Sequence, residues 1–150
     1  MAQSLSKVYV HITFSTKNRY PFIDDNIAKE LWAYIGGICK QLECNPVRVG
    51  GYNDHAHVCC LLSKKITQIK LLEEIKKESS RWAKTKGKQY NQFYWQDGYG
   101  IFSVNPYEIE KVVEYIDNQC QHHKKRTFQE ELLAFLKKYK VEYDERYLWK

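Results

Sequence analysis

The sequence predicts an α+β fold, an antiparallel sheet with helices packed on one face and extra helices at the C-terminus. Two observations carry this. Segments with a two-residue hydrophobic period alternate with segments of helical period in the order β-α-β-β-α-β. No internal repeat, low-complexity tract or Pro/Gly-rich linker divides the 150 residues, so one domain spanning 1–150 is expected. A chain of that length can bury a core without disulfide staples.

Residues 7–14 alternate, with Val8, Val10, Ile12 and Phe14 on one face and Tyr9, His11 and Thr13 on the other, which is the pattern of a half-buried strand. Residues 24–44 read as a helix with the stripe Ile27, Leu31, Tyr34, Ile35 and Ile38. Gly36 and Gly37 interrupt that stripe and are expected to mark a close approach of helix to sheet. Residues 46–51 and 56–62 read as strands joined by a Gly-Tyr-Asn-Asp turn, and 66–84 as a basic amphipathic helix with Ile69, Leu72, Ile75 and Trp82 inward. Residues 93–104 place aromatic and β-branched side chains around Gly98 and Gly100, as strand, turn and strand. Asn105-Pro106 opens a helix over 107–123, with Asn as cap and proline suited to the first turn. A helix over 128–139 and a polar-aromatic tail over 141–150 complete the chain. The order is the split βαβ, or ferredoxin-like, arrangement. That fold hosts many functions, so the side chains must decide among them.

Composition narrows the choice. Lysine and arginine number 24 against 18 acidic residues, a formal charge of +6, and this balance favours polyanionic partners through counterion release. Twelve tyrosines add rings able to stack unpaired bases. No segment approaches the roughly 20 apolar residues of a membrane span, and the N-terminus has no signal-peptide core, so a cytoplasmic protein without membrane contact is expected. The five cysteines are odd in number and lack CxxC spacing, which argues for reduced thiols.

Two constellations carry chemistry. In Asp54-His55-Ala56-His57-Val58-Cys59 the histidines are two apart on a strand, so they project from one face as a divalent-metal half-site. Cys59 shares that face but lies about 13 Å along the strand from His55, too far for one tetrahedral zinc. On the 107–123 helix, Ile109, Val112, Val113, Ile116 and Cys120 form the core stripe. Tyr115 sits roughly 120° from its centre, with Gln119 and His122 following on the same side. A tyrosine oxygen can attack a phosphodiester and a divalent ion can polarise it, which together permit strand transfer without ATP.

His-hydrophobe-His on a central strand, followed by Tyr115-Ile116-Asp117-Asn118-Gln119 on a helix, resembles the single-tyrosine HUH transposases of bacterial insertion sequences. The segments Phe14-Ser15-Thr16-Lys17-Asn18-Arg19 and Trp95-Gln96-Asp97-Gly98-Tyr99-Gly100 resemble that family's first strand with its basic exit and the strand before its tyrosine helix. The resemblance implies Tyr115 as nucleophile, His55, His57 and Gln119 as metal ligands, and Mg²⁺ or Mn²⁺ as cofactor. It implies cleavage and rejoining of single-stranded, hairpin-forming insertion-sequence ends through a 5′-phosphotyrosine, by a homodimer. Basic residues expected to contact DNA are Lys17, Arg19, Arg81, Lys124, Lys125 and Arg126, the last three directly following the tyrosine helix. His11, on the outward face of the first strand, is expected beside the site as a satisfied structural histidine. The alternative is a non-catalytic single-stranded nucleic-acid binder, such as a domesticated transposase. A two-histidine phosphoesterase would need a second His-x-Thr/Ser motif beside His11-Ile12-Thr13, and the sequence has none.

Overall fold

In the computed structural model, which describes residues 2–149, four antiparallel strands form one sheet in the order β2-β3-β1-β4. The strands are β1 (Tyr9–Ser15), β2 (Pro46–Tyr52), β3 (His55–Leu61) and β4 (Gly100–Val104). Helix α1 (Ala28–Gln41) connects β1 to β2, and α2 (Gln68–Lys84) connects β3 to β4, so β3 is inserted between the two strands that α1 links. This is the expected ferredoxin-like topology.

Strand register sorts the side chains. His11, Thr13 and Ser15 of β1 pair with Cys59, His57 and His55 of β3, all on one face. Val10, Ile12 and Phe14 pair with Cys60, Val58 and Ala56 on the other, where Leu31, Ile35, Leu71, Leu72 and Ile75 of α1 and α2 close the main core. Thr67 caps α2, its hydroxyl accepting from Lys70 N at 3.1 Å. The histidine face is covered as well. Helix α3 (Ile109–Asp117) lies over β2, and α4 (Gln119–His122), α5 (Phe128–Lys138) and the short α6 (Glu145–Leu148) follow it. β1 is consequently buried along both faces beyond Tyr9 rather than half-buried. The two-residue period is unchanged, but a period cannot report what later covers the polar side.

Several local expectations are corrected. Ile69 is 70% exposed, and the inward stripe of α2 is Leu71, Leu72, Ile75, Ser79 and Ala83. Tyr34 lies at the rim of α1, stacked on Trp82 at 5.2 Å, rather than in the core. The first half of 93–104 pairs only through a single bridge between Trp95 and Thr16. The helix expected over 107–123 breaks at Asn118 (φ −98°, ψ 19°), and the break turns Cys120 outward while Gln119 is buried. A Cβ at Gly36 would meet nothing nearer than Val49 Cγ2 at 3.9 Å, and one at Gly37 would face open space, so neither marks a close approach.

The close approach is at Gly50 in β2. A Cβ there would lie 2.8 Å from Ile116 Cγ2 and 3.4 Å from the Ile116 carbonyl. Gly50 is what lets α3, and with it Tyr115, seat against the sheet. Gly50→Ala should lower stability by about 1–3 kcal/mol in urea unfolding. The double variant Gly50→Ala/Ile116→Ala should cost less than the sum of the two single changes, and strict additivity would show that this contact does not limit the approach.

Candidate active site

The β2–β3 hairpin tip is held before any site side chain is placed. Thr16 N donates to the Asp54 carbonyl at 2.8 Å and Ile23 N to the Asn53 carbonyl at 2.9 Å. From this fixed turn, His55 and His57 point to the face covered by the C-terminal helices, and both are fully buried. Asp54 Oδ1 accepts from His55 Nδ1 at 2.7 Å, and His11 Nε2 lies 2.8 Å from His57 Nδ1. His11 is diagonal to His57 across the β1–β3 pair, so it braces the ring from behind.

Into this face α5 inserts Glu131, a carboxylate with no exposed surface. One oxygen, Oε1, accepts from His57 Nε2 at 2.9 Å. The other, Oε2, accepts from His123 Nε2 at 3.2 Å, from Gln119 Nε2 at 3.3 Å and from the Tyr115 hydroxyl. Arg126 Nη2 donates to the same tyrosine oxygen at 3.2 Å, and the Tyr115 ring stacks on His122 with centroids 4.6 Å apart. Tyr115, Gln119, His55, His57 and Arg126, singled out by sequence, are therefore brought together within one chain.

The charges follow from burial. Burial lowers the pKa of His57 and outweighs the opposing pull of Glu131, so the ring is neutral. Neutral His57 then donates from Nε2 to Glu131 and accepts at Nδ1 from His11. Burial acts against the ionised form of Glu131, yet hydrogen bonds from His123 and His57 and the field of the imidazoles hold it well below the usual carboxylate range. Burial, and next to it the Glu131 charge, push the Tyr115 phenol above its ordinary value, while Arg126 pulls the other way.

The donor set fits a divalent cation. His55 spends its Nδ1 proton on Asp54, which leaves an Nε2 lone pair facing Gln119 Oε1 at 2.8 Å and Glu131 Oε1 at 3.5 Å. Donor atoms of His55, His57 and Glu131 lie within 4.8 Å of one another. The His55 and Glu131 lone pairs converge on one buried point, and a cation there would replace the His57 Nε2 proton, which the ring would then carry on Nδ1 towards His11.

The other basic residues lie elsewhere. Lys124 and Lys125 are exposed on the turn after α4. Lys17 is exposed where the chain leaves β1, and the Arg19 guanidinium sits 5.7 Å from the Trp149 ring. Arg81 pairs with Glu78 on α2, across the sheet from the histidines. Glu131 escaped the sequence reading. Its signal is a charge set within the apolar stripe Phe128, Leu132, Phe135 and Leu136 of α5, where solvated glutamates do not belong.

Residues 4–119 match the family described as transposase IS200 like. The chain belongs to that family. The matched segment contains the histidine pair, Tyr115 and Gln119, whereas Arg126 and Glu131 lie beyond it. Two solved structures share the transposase fold. One is a candidate transposase from Deinococcus radiodurans R1, 20% identical with a TM-score of 0.61, over 79% of this chain and 98% of that one. The other is a REP-associated tyrosine transposase bound to a REP hairpin, 17% identical with a TM-score of 0.59, over 82% of this chain and 73% of that one. No curated protein matches the chain. Among the described residues of this transposase, no helix is long and apolar enough to cross a membrane.

The buried histidines predict acid lability. Burial, then His57, lowers the His11 pKa from 6.5 to about 3. A base with a depressed folded pKa stabilises fully above its unfolded value, and that contribution is lost as pH falls from about 6.5 towards 3. Glu131, also depressed, adds a loss below about pH 4.3. Urea midpoints should fall steadily between pH 7 and pH 4. His11→Gln should flatten that fall by up to about 1.4 kcal/mol per pH unit, and an unchanged slope would show that His11 is protonated in the fold.

Proposed function

We propose that this transposase cuts and rejoins single-stranded DNA through a covalent 5′-phosphotyrosine at Tyr115, with Mg²⁺ or Mn²⁺ held by His55, His57, Gln119 and Glu131. The observation that carries the reading is the Tyr115 hydroxyl hydrogen-bonded to Glu131 and Arg126 directly beside the histidine pair. Hairpin-forming ends as substrate, and action as a homodimer, are part of the proposal. The hairpin is supported by the neighbour of similar fold that is bound to one.

The chain's own residues divide the work. Tyr115 Oη attacks the phosphorus, forming the P–O bond to tyrosine as the bond to O3′ breaks. Its proton is held towards Glu131 Oε2, and the departing O3′ takes up a proton to become a free hydroxyl. Arg126, 3.2 Å from Oη, favours the phenolate and is placed to meet the incoming phosphate. His122 stacked on the ring, and Ile116 seated on Gly50, fix the direction of attack. A bound divalent ion would neutralise and orient the scissile phosphate. Because the phosphotyrosine remains a diester, a 3′-hydroxyl can attack it and restore a strand.

Covalent trapping tests this. Labelled hairpin-bearing strands from the DNA flanking the gene are incubated with protein and Mn²⁺. A denaturant-stable adduct should form, vanish in Tyr115→Phe and with chelator, and fall at least a hundredfold in His57→Ala. Tight binding by wild type with no adduct on any strand would instead establish the non-catalytic binder.

A further inference from the structure

Beside Tyr115 a cavity of about 770 Å³ opens between α3 and α5 at the end of β4. This is within the roughly 300–1,000 Å³ of small-molecule sites. Tyr115, Arg126, Glu131 and His11 stand among its lining residues, so it is continuous with the site, although His55 and His57 do not line it. One wall is aromatic. Phe135 and Tyr139 of that wall both stack on Phe102, with centroids 5.5 and 4.7 Å away, so they are braced from behind. Lys138, also lining the cavity, places its ammonium 5.4 Å from the Tyr139 ring centre. Lys111 is tied to Glu108 at 3.1 Å, which leaves Arg126 and Lys138 as the cations available to a phosphate.

Rings held rigid beside basic side chains, next to a group that reacts with phosphate, are the elements of a nucleotide subsite. The chemistry says which nucleotide. In an in-line displacement the leaving O3′ lies opposite the attacking oxygen, so the nucleoside on the 5′ side of the cut lies across the phosphorus from Tyr115. The nucleoside on the 3′ side is joined through an equatorial oxygen and can turn back along the tyrosine.

We propose that this groove holds the first nucleoside on the 3′ side of the cut, stacking its base on Phe135 and Tyr139, and that it keeps this nucleoside bound while it is linked to Tyr115. This rests on the phosphotyrosine reading. The groove thereby retains the covalent strand while the opposite side exchanges one 3′-hydroxyl for another.

The cut is first located from the wild-type adduct, and abasic nucleotides are then placed on either side of it. An abasic site on the 3′ side should slow adduct formation about tenfold or more, and one on the 5′ side less than twofold. Tyr139→Ala, and Ala134→Trp, which fills the groove, should slow the intact strand, and their losses should not add to that of the 3′ abasic site. Adducts that form normally with the 3′ abasic strand would overturn the subsite and leave the Tyr115 chemistry standing. If no adduct forms on any strand, the same strands carrying 2-aminopurine at successive positions test the groove by binding alone. Quenching at one position that is lost in Tyr139→Ala and in Ala134→Trp supports a base in the groove, and its absence overturns the proposal.

Discussion

The arrangement depends on one buried carboxylate. Glu131 sits with no exposed surface between the sheet and α5, where an unpaired charge would be strongly destabilising. It is tolerated because β3, α3 and α4 all reach it, through His57, Tyr115 and Gln119, with His123 just beyond α4. Among the described residues, every buried side-chain nitrogen or oxygen has a polar atom within hydrogen-bonding distance. The apolar contact of α5 is a cluster built on Phe102, Phe128, Leu132 and Leu136, with Phe135, Tyr139, Leu148 and Trp149 packed against it. The polar network and the apolar cluster together hold the C-terminal helices on the sheet.

That network also fixes proton positions that imidazoles would otherwise leave open. As long as no cation takes its Nε2, neutral His57 donates from that nitrogen to the carboxylate and accepts at Nδ1 from His11, and a cation bound there would reverse the His11–His57 bond. Asp54 makes the opposite choice for His55, fixing Nδ1 as donor and leaving the Nε2 lone pair towards Gln119 and Glu131. Without a cation the two histidines thus carry different tautomers, each set by a partner outside the pair, and a cation held by both would make them alike. The hairpin tip that holds Asp54 is in turn bonded to Thr16 and Ile23, so the orientation of His55 traces back to the end of β1.

Much of this was legible in the sequence, and the limits are physical. The two-residue period places His55 beside His57, and helical spacing places Gln119 one turn after Tyr115, because both relations are local. The break at Asn118 was invisible to periodicity, and it decides that Gln119 rather than Cys120 turns inward. Glu131 lies 74 residues from His57, and no local pattern relates the two. The capping box of α5 directs attention to Glu130, which is exposed at the helix start, and away from its buried neighbour. Gly50 was likewise silent, since a glycine beside another in an edge strand reads as a turn, while its role is defined by Ile116 on a distant helix.

The proposed reaction asks a half-buried tyrosine to meet a polymeric substrate, and the position of Tyr115 is compatible with that. The ring is half-buried against His57, His122 and Phe135, which fixes its direction, yet it also lines the groove between α3 and α5. A strand need not thread beneath α5 to meet the hydroxyl. It can lie in the groove with one phosphate turned towards Arg126. Arg126 is bonded to the Tyr115 hydroxyl itself, so in the proposed reaction the productive phosphate would be selected by alignment with Tyr115 more than by the overall charge of +6. Lys17, Lys124 and Lys125 are exposed and lie outside that groove, so in the proposed reaction they would not compete for the phosphate that reacts.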